Sequence, residues 1–394
     1  MTTSFEPRPP SLSMLSLFLK FLGFGAMAFG GPVAQIAMIR RALVEEERWI
    51  SSARFNKLIA VMQALPGPEA HELCVHLGVM ARGRWGGVLA GLGFMAPGFV
   101  LMLGAAWLYD TFLAGRMIWV GALTGVQIMV LALIARAVEK IGRHAIAGAR
   151  LWGVAVFALA ATLLHAPFWL PLVVGGVVGV LRAPRLVLAG LLIVALGLAY
   201  LMGDRTAGPS VAIQASEPTL WLLFLAGLKG GLLTFGGAYT AIPYVQADTV
   251  GRGWISGPAF LDGVAFAGVL PAPLVIFSTF AGYLAGGVPG ALVITAGMFL
   301  PAFAFSLVLY ERLEALVEAP TLHDTLTGVA AAVVGVIAGV WLRMAWTTGA
   351  AVPSLVVGML IFIVALTAIW RLKSRWAAPV VIIGGAVAGH LALG

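Results

Sequence analysis

Phe29-Gly30-Gly31-Pro32 and Leu65-Pro66-Gly67-Pro68 interrupt long apolar runs, and the same punctuation returns as Phe235-Gly236-Gly237 and Leu270-Pro271-Ala272-Pro273. Between the two breaks, Trp49-Ile50-Ser51 recurs as Trp254-Ile255-Ser256, and beyond them Pro97 matches Pro301. The offset drifts only from 206 at Phe29 to 204 at Pro97. Two unrelated apolar segments can share leucines by chance, but they do not keep Trp, Gly and Pro in one order. The chain is therefore an internal duplication. Its first repeat spans 1–202, a polar linker spans 203–218, and the second repeat spans 219–394.

The composition sets the solvent. Hydrophobic residues make up 61% of the 394 positions and charged residues 10%, where a soluble domain carries about 25% charged residues. Uncharged runs such as Leu186–Met202, Val352–Trp370 and Trp376–Leu393 are close to the ~20 residues that cross a bilayer core. In lipid every backbone group must be bonded internally, which helices achieve. The expectation is an all-α polytopic membrane protein with about ten to thirteen membrane segments. The formal charge of +8 comes from short loops, where Lys and Arg set orientation; no nucleic-acid partner is expected. The single cysteine, Cys74, excludes an internal disulfide and a cysteine metal cluster.

Orientation follows from matched loops. Arg40, Arg41, Arg48, Arg54 and Lys57 crowd 40–57, whereas the counterpart at 245–262 holds only Arg252. Arg82 and Arg84 in the next loop correspond to Ala285-Gly286-Gly287, with no basic residue. One unit with opposite basic bias predicts an inverted-topology repeat. The first half also carries one extra apolar run near its end. Proline stops a helix, and non-helical backbone at membrane depth survives only inside protein or beside water. Basic residues flank both ends of Leu58–Ala81. We read it as a re-entrant hairpin with Pro66–Pro68 at its tip, a broken crossing being the alternative.

Helix ends at such breaks expose amides and a positive dipole end, a ready anion site. Gly30, Gly31, Gly67, Gly236, Gly237 and Ala272 are the backbone candidates for binding a substrate. Lys20 and Lys229 interrupt the first apolar run of each half, not at equivalent positions, and would supply positive charge. Lys229 has no acid near it in sequence, the nearest being Glu217 and Asp248. Gln35, Tyr239 and Thr240 follow the first breaks and could line the same cavity. Glu69, His71, Glu72 and His76 follow the Pro66–Pro68 break and are candidates for proton handling. Their spacing is not a zinc motif, and neither metal nor cofactor is expected. No P-loop or catalytic triad occurs, so the chain is not read as an enzyme or as an ATP-driven pump.

At these residues the chain resembles the chromate ion transporter family in its long, two-domain form. The matching stretches are Phe29–Arg41, Arg48–Ser51, Leu65–Ala70 and Leu77-Gly78, then Lys229–Gly237, Gly253–Ser256 and Leu270–Gly282. The resemblance implies export of chromate, with sulfate as a related oxyanion, across the inner (plasma) membrane of a prokaryote. It departs in three places. Gln35 stands where a histidine is common, Glu72 where a glutamine is usual, and Ala272 where the second Pro-Gly-Pro has its glycine. The expected partners are a small inorganic oxyanion and the lipid bilayer; a homodimer is left open. An anion channel and a membrane-embedded enzyme are the rival readings.

Overall fold

The computed structural model describes residues 9–181, 183–203, 217–235, 237–308, 320–372 and 376–394. Gly236 and most of the linker thus lie outside the described residues. The described chain is all-α. The first repeat contributes α1 (Met14–Ala26), α2 (Gly31–Arg40), α3 (Ser52–Ala64), α4 (Glu69–Leu108), α5 (Val120–Ala145), α6 (Ala149–Leu163), α7 (Trp169–Val180) and α8 (Arg185–Met202). The second contributes α9 (Leu220–Leu232), α10 (Ile242–Thr249), α11 (Gly257–Val269), α12 (Phe277–Val308), α13 (Pro320–Ala351), α14 (Leu355–Arg371) and α15 (Ala377–Leu393). Among the described residues four segments, Glu69–Leu113, Met117–Ala145, Leu274–Val308 and Asp324–Ala351, are long and apolar enough to cross a membrane, and eight shorter apolar helices accompany them. The additional apolar run of the first half is α8.

α4 and α12 are each two arms folded back on one another. Arg82 (φ −145°, ψ 30°) and Gly83 (φ 64°, ψ −164°) break α4. Gly286 (φ −152°, ψ 25°) and Gly287 (φ 61°, ψ −156°) break α12 in nearly the same conformation, 204 residues later. The positive φ at Gly83 and Gly287 lies in the region that favours glycine. Small residues let the arms touch. A Cβ on Gly78 would lie 2.5 Å from the Gly86 carbonyl oxygen, and one on Gly282 would lie 2.6 Å from that of Gly290.

The first breaks also turn the chain back. Gly30 and Gly31 take positive φ between α1 and α2, at 86° and 76°. The returning strand of chain brings Glu47 to Lys20 at 2.5 Å and Trp49 edge-on to Phe21. In the second half Gly237 (φ 141°) makes the turn, and Asp248 returns to Lys229 at 2.9 Å. Trp49 thus sits beside Phe21, while Leu17 packs close to Gly86.

The two halves pack in opposite directions. Gly87 lies under Leu307 and Gly91 under Phe303, so the outer arms of α4 and α12 run antiparallel. The long helices meet the partner half through glycine. Gly125 of α5 packs on Gly385 of α15, and Gly328 of α13 packs on Gly175 of α7, each close enough that a Cβ would meet a carbonyl oxygen at 2.0 Å. Close backbone approach of this kind is how membrane helices gain packing without a hydrophobic drive.

Candidate functional site: the crossed hairpin tips

Each proline tip is held by the first break of the opposite half. The Gly67 amide donates to the Thr234 carbonyl at 2.8 Å. Gln35, buried, donates through Nε2 to the Ala28 carbonyl at 2.8 Å and to the Ala272 carbonyl at 3.0 Å. Ala28 and Thr234 are repeat equivalents, as are Gly67 and Ala272, so the same pair of positions is joined in both crossings, once by a direct backbone bond and once through the Gln35 amide. Side-chain packing repeats the pattern: a Cβ on Gly98 would meet Ala272 at 2.5 Å, and one on Gly67 would meet Ala302 at 3.5 Å. Gly98 and Ala302 are equivalent positions too.

The two tips differ chemically. α4 begins at Glu69 after an extended Pro68, and its first turn carries Glu69 and Glu72. Carboxylates there complement the helix dipole and compete with any other anion. Glu72 and His71 are fully buried. Neither oxygen of Glu72 nor either ring nitrogen of His71 has a hydrogen-bond partner among the described residues. A Cβ on Gly67 would stand 2.7 Å from Glu72 Oε1. His71 sits edge-on between Phe299 and Phe303, each ring centroid 4.8 Å away. Glu69 and His76 are also buried. The opposite tip leads through a turn at Leu274–Ile276 into α12, which has no acid in its first turn. Its hydroxyls are already used: Ser278 donates to the Val275 carbonyl, and Thr279 shares a bond with Thr295.

Several residues singled out in the sequence fall elsewhere than expected. Lys229 is not without an acid. It pairs with Asp248 and lies over the Phe168 ring at 3.9 Å. Nineteen residues separate the pair in sequence, but the Gly237 turn folds α10 back against α9. Lys20 is likewise paired, with Glu47. Thr240 fastens the second-half break from within. Its hydroxyl accepts from the Phe235 amide at 3.1 Å and donates to the Gly237 carbonyl at 2.6 Å. Tyr239 is half-buried beside it. Glu72 and His76 share a helix face but no hydrogen bond, because neither Glu72 oxygen is bonded. The Gly67 amide is occupied by Thr234 in this arrangement, so the first tip does not present it freely.

One buried group escaped the sequence reading. Asp262 on α11, 1% exposed, accepts from the Tyr109 hydroxyl at 2.9 Å and from Gln127 Nε2 at 3.1 Å. It is the lone acid of α11. The signal that could have found it is the general cost of an ionisable group in an apolar run.

Comparison with known proteins places these features. The profile of the family described as "Chromate transporter" matches residues 15–180 and 221–390, one match per half. A chromate transport protein of Pseudomonas aeruginosa is 53% identical over 392 residues, covering 98% of this chain and 94% of that protein. A chromate transport protein of Cupriavidus metallidurans is 30% identical, covering 97% and 94%. A probable chromate transport protein of Synechococcus elongatus is 28% identical, covering 96% of each. No solved structure matches.

Proposed function

The chain belongs to the chromate transporter family, and from that membership we propose that it exports chromate, with sulfate as a related oxyanion, across a prokaryotic plasma membrane as a gradient-driven secondary transporter. The observation that carries the mechanism is the crossed pair of tips. Gly67 is tied to Thr234, and Ala272 is tied through Gln35 to Ala28. Helix breaks that meet at the interface of inverted repeats are the substrate sites of many secondary transporters.

The tips divide the work. The Pro271–Pro273 tip, with no acid in the following turn, receives the dianion together with backbone at Gly30, Gly31 and Gly237. Gln35 Oε1 is buried without a partner, and its amide reorients when an anion displaces the Ala272 carbonyl. The Pro66–Pro68 tip, with Glu69, His71, Glu72 and His76 behind it, handles protons. Lys20 and Lys229 raise the local positive potential while their carboxylate partners hold the hairpin arms closed. Alternating access then consists of rocking one half against the other, exchanging these ties between the two faces.

The test is uptake of labelled chromate and sulfate into inverted membrane vesicles, with and without an imposed proton gradient. Saturable uptake that accelerates with the gradient and exchanges with unlabelled chromate supports the transporter. Non-saturating flux without exchange would favour a channel instead.

A further inference from the structure

Asp262 lies outside the tips and belongs to no motif of the repeat. Its counterpart in the first half is Lys57. It is enclosed on every side. From the end of α4 comes the Tyr109 hydroxyl, with the exposed Asp110 next to it in the chain. From α5 comes Gln127, which does not titrate. α12 offers the rings of Phe277, edge-on to Phe260, and Phe280, packed against Gly263. From α15 comes Ile382, near Gly268, the ionisable side chain of that helix being the exposed His390. Among the described residues no Lys, Arg or His pairs with Asp262; its two oxygens are met by one hydroxyl and one amide.

A carboxylate taken out of water without a cation is costly, whereas the neutral acid is not. Two neutral donors soften this cost without removing it. The two protonation states also need different neighbours. The carboxylate accepts from both Tyr109 and Gln127. The acid must donate one hydrogen of its own, so one of those contacts has to rearrange. Asp262 sits on the helix that ends at Val269, just before the Pro271–Pro273 tip, while Tyr109 and Gln127 belong to the first half. The bonds at Asp262 therefore set how α11, and the tip it carries, is fastened to the opposite repeat.

We propose that Asp262 is a proton-binding site of the transport cycle, separate from the Glu72 tip. The carboxylate takes a proton from one aqueous face, forming an O–H bond and slackening the tie to Tyr109 and Gln127. It gives the proton up at the other face as α11 and its tip move. The inference rests on the transporter reading above, and it assigns the coupling ion: a proton bound to an acid in the second half. It is an intramembrane carboxyl with named neutral partners, the arrangement from which proton relays are built.

The experiment uses the full chain in inverted vesicles or liposomes and compares Asp262→Asn and Asp262→Glu with the wild type at equal membrane abundance. Three signals are read: chromate exchange at equal pH on both sides, net uptake driven by a pH gradient, and chromate-dependent proton movement followed with a pH dye. Asn keeps the shape and one acceptor oxygen, its NH2 standing where the protonated acid carries its hydrogen, but it cannot bind or release a proton. For Asp262→Asn the expected result is a loss of about ten-fold or more in net uptake, with proton movement abolished and exchange still measurable. Asp262→Glu should restore net uptake in part, with a displaced pH profile. The proposal is overturned if Asp262→Asn retains gradient-driven uptake and proton movement. It is also overturned if exchange and net uptake fall together and Asp262→Glu rescues neither, which marks a structural tie. Wild-type uptake driven by a sodium gradient and lost in Asp262→Asn would overturn it in favour of a sodium site. Absence of chromate exchange in the wild type itself would sink the transporter reading, an outcome distinct from the others.

Discussion

The backbone amide of Gly67 is bonded to the carbonyl of Thr234 at 2.8 Å, joining the proline tip of one repeat to the glycine break of the other. Gly67 reaches this contact with φ at 146°, in the region open to glycine and strained for other residues. A Cβ there would also press on Glu72 Oε1 at 2.7 Å. Gly67→Leu should therefore abolish chromate transport while the protein still inserts, with about 1–3 kcal/mol of local strain. Transport assays on membranes matched for abundance check this. Wild-type rates in a well-inserted Gly67→Leu protein would show that the tip does not take part.

Gln35 bridges Ala28 and Ala272 with a single amide. Gln35→Leu leaves two buried carbonyls without that donor, a loss of about 1–3 kcal/mol for each acceptor stranded. The thermal midpoint of the detergent-solubilised protein should fall, and transport should fall with it. Gln35→His, which retains a ring donor, should lie between the two. Equal midpoints for Leu, His and wild type would remove Gln35 from the clasp.

Lys229 and Asp248 close the α9–α10 hairpin, with Arg252 3.5 Å from the same carboxylate. Losing one partner of a largely buried pair costs more than losing both. Lys229→Met alone should thus reduce membrane abundance, and adding Asp248→Asn should recover much of it. If Lys229 also lends its charge to the substrate, the double variant will still bind chromate more weakly, and Lys229→Arg will retain part of the affinity. A double variant with wild-type apparent affinity across pH 6 to 8 would restrict the lysine to the hairpin clamp.

Glu72 faces Gly67 with no donor on either oxygen. Glu72→Gln removes a titrating group without changing shape. Transport should continue, with a flatter dependence on pH than in the wild type. An unaltered pH profile would leave no proton role for Glu72 and place the whole dependence elsewhere.

The arms of α4 and α12 turn at Gly83 and Gly287. In a protein with Cys74 replaced, cysteines at the next positions, Arg84→Cys and Val288→Cys, should react with impermeant reagents from opposite faces of the membrane. Reaction from one face alone would contradict the inverted repeat.

Sequence alone determined the helical membrane class, the duplication and the breaks at Gly30–Pro32, Pro66–Pro68 and Pro271–Pro273, but not those inside α4 and α12 at Gly83 and Gly287. Each of these is local: a run of apolar residues must become a helix in lipid, and clustered proline and glycine at Gly30–Pro32 and Pro66–Pro68 separate successive helices, whereas the lone Pro97 and Pro301 stand inside α4 and α12. The break at Pro66–Pro68 was legible for the same reason, and it falls between α3 and α4. Only the tertiary structure decided what meets what. The return of α10 gave Lys229 its carboxylate, and the antiparallel packing of the halves set Thr234 against Gly67. Asp262 found Tyr109 and Gln127 at sequence separations of 153 and 135 residues. Such pairings depend on the angle and depth at which rigid helices cross, set by glycine contacts such as Gly125 with Gly385. No spacing along the chain carries that information.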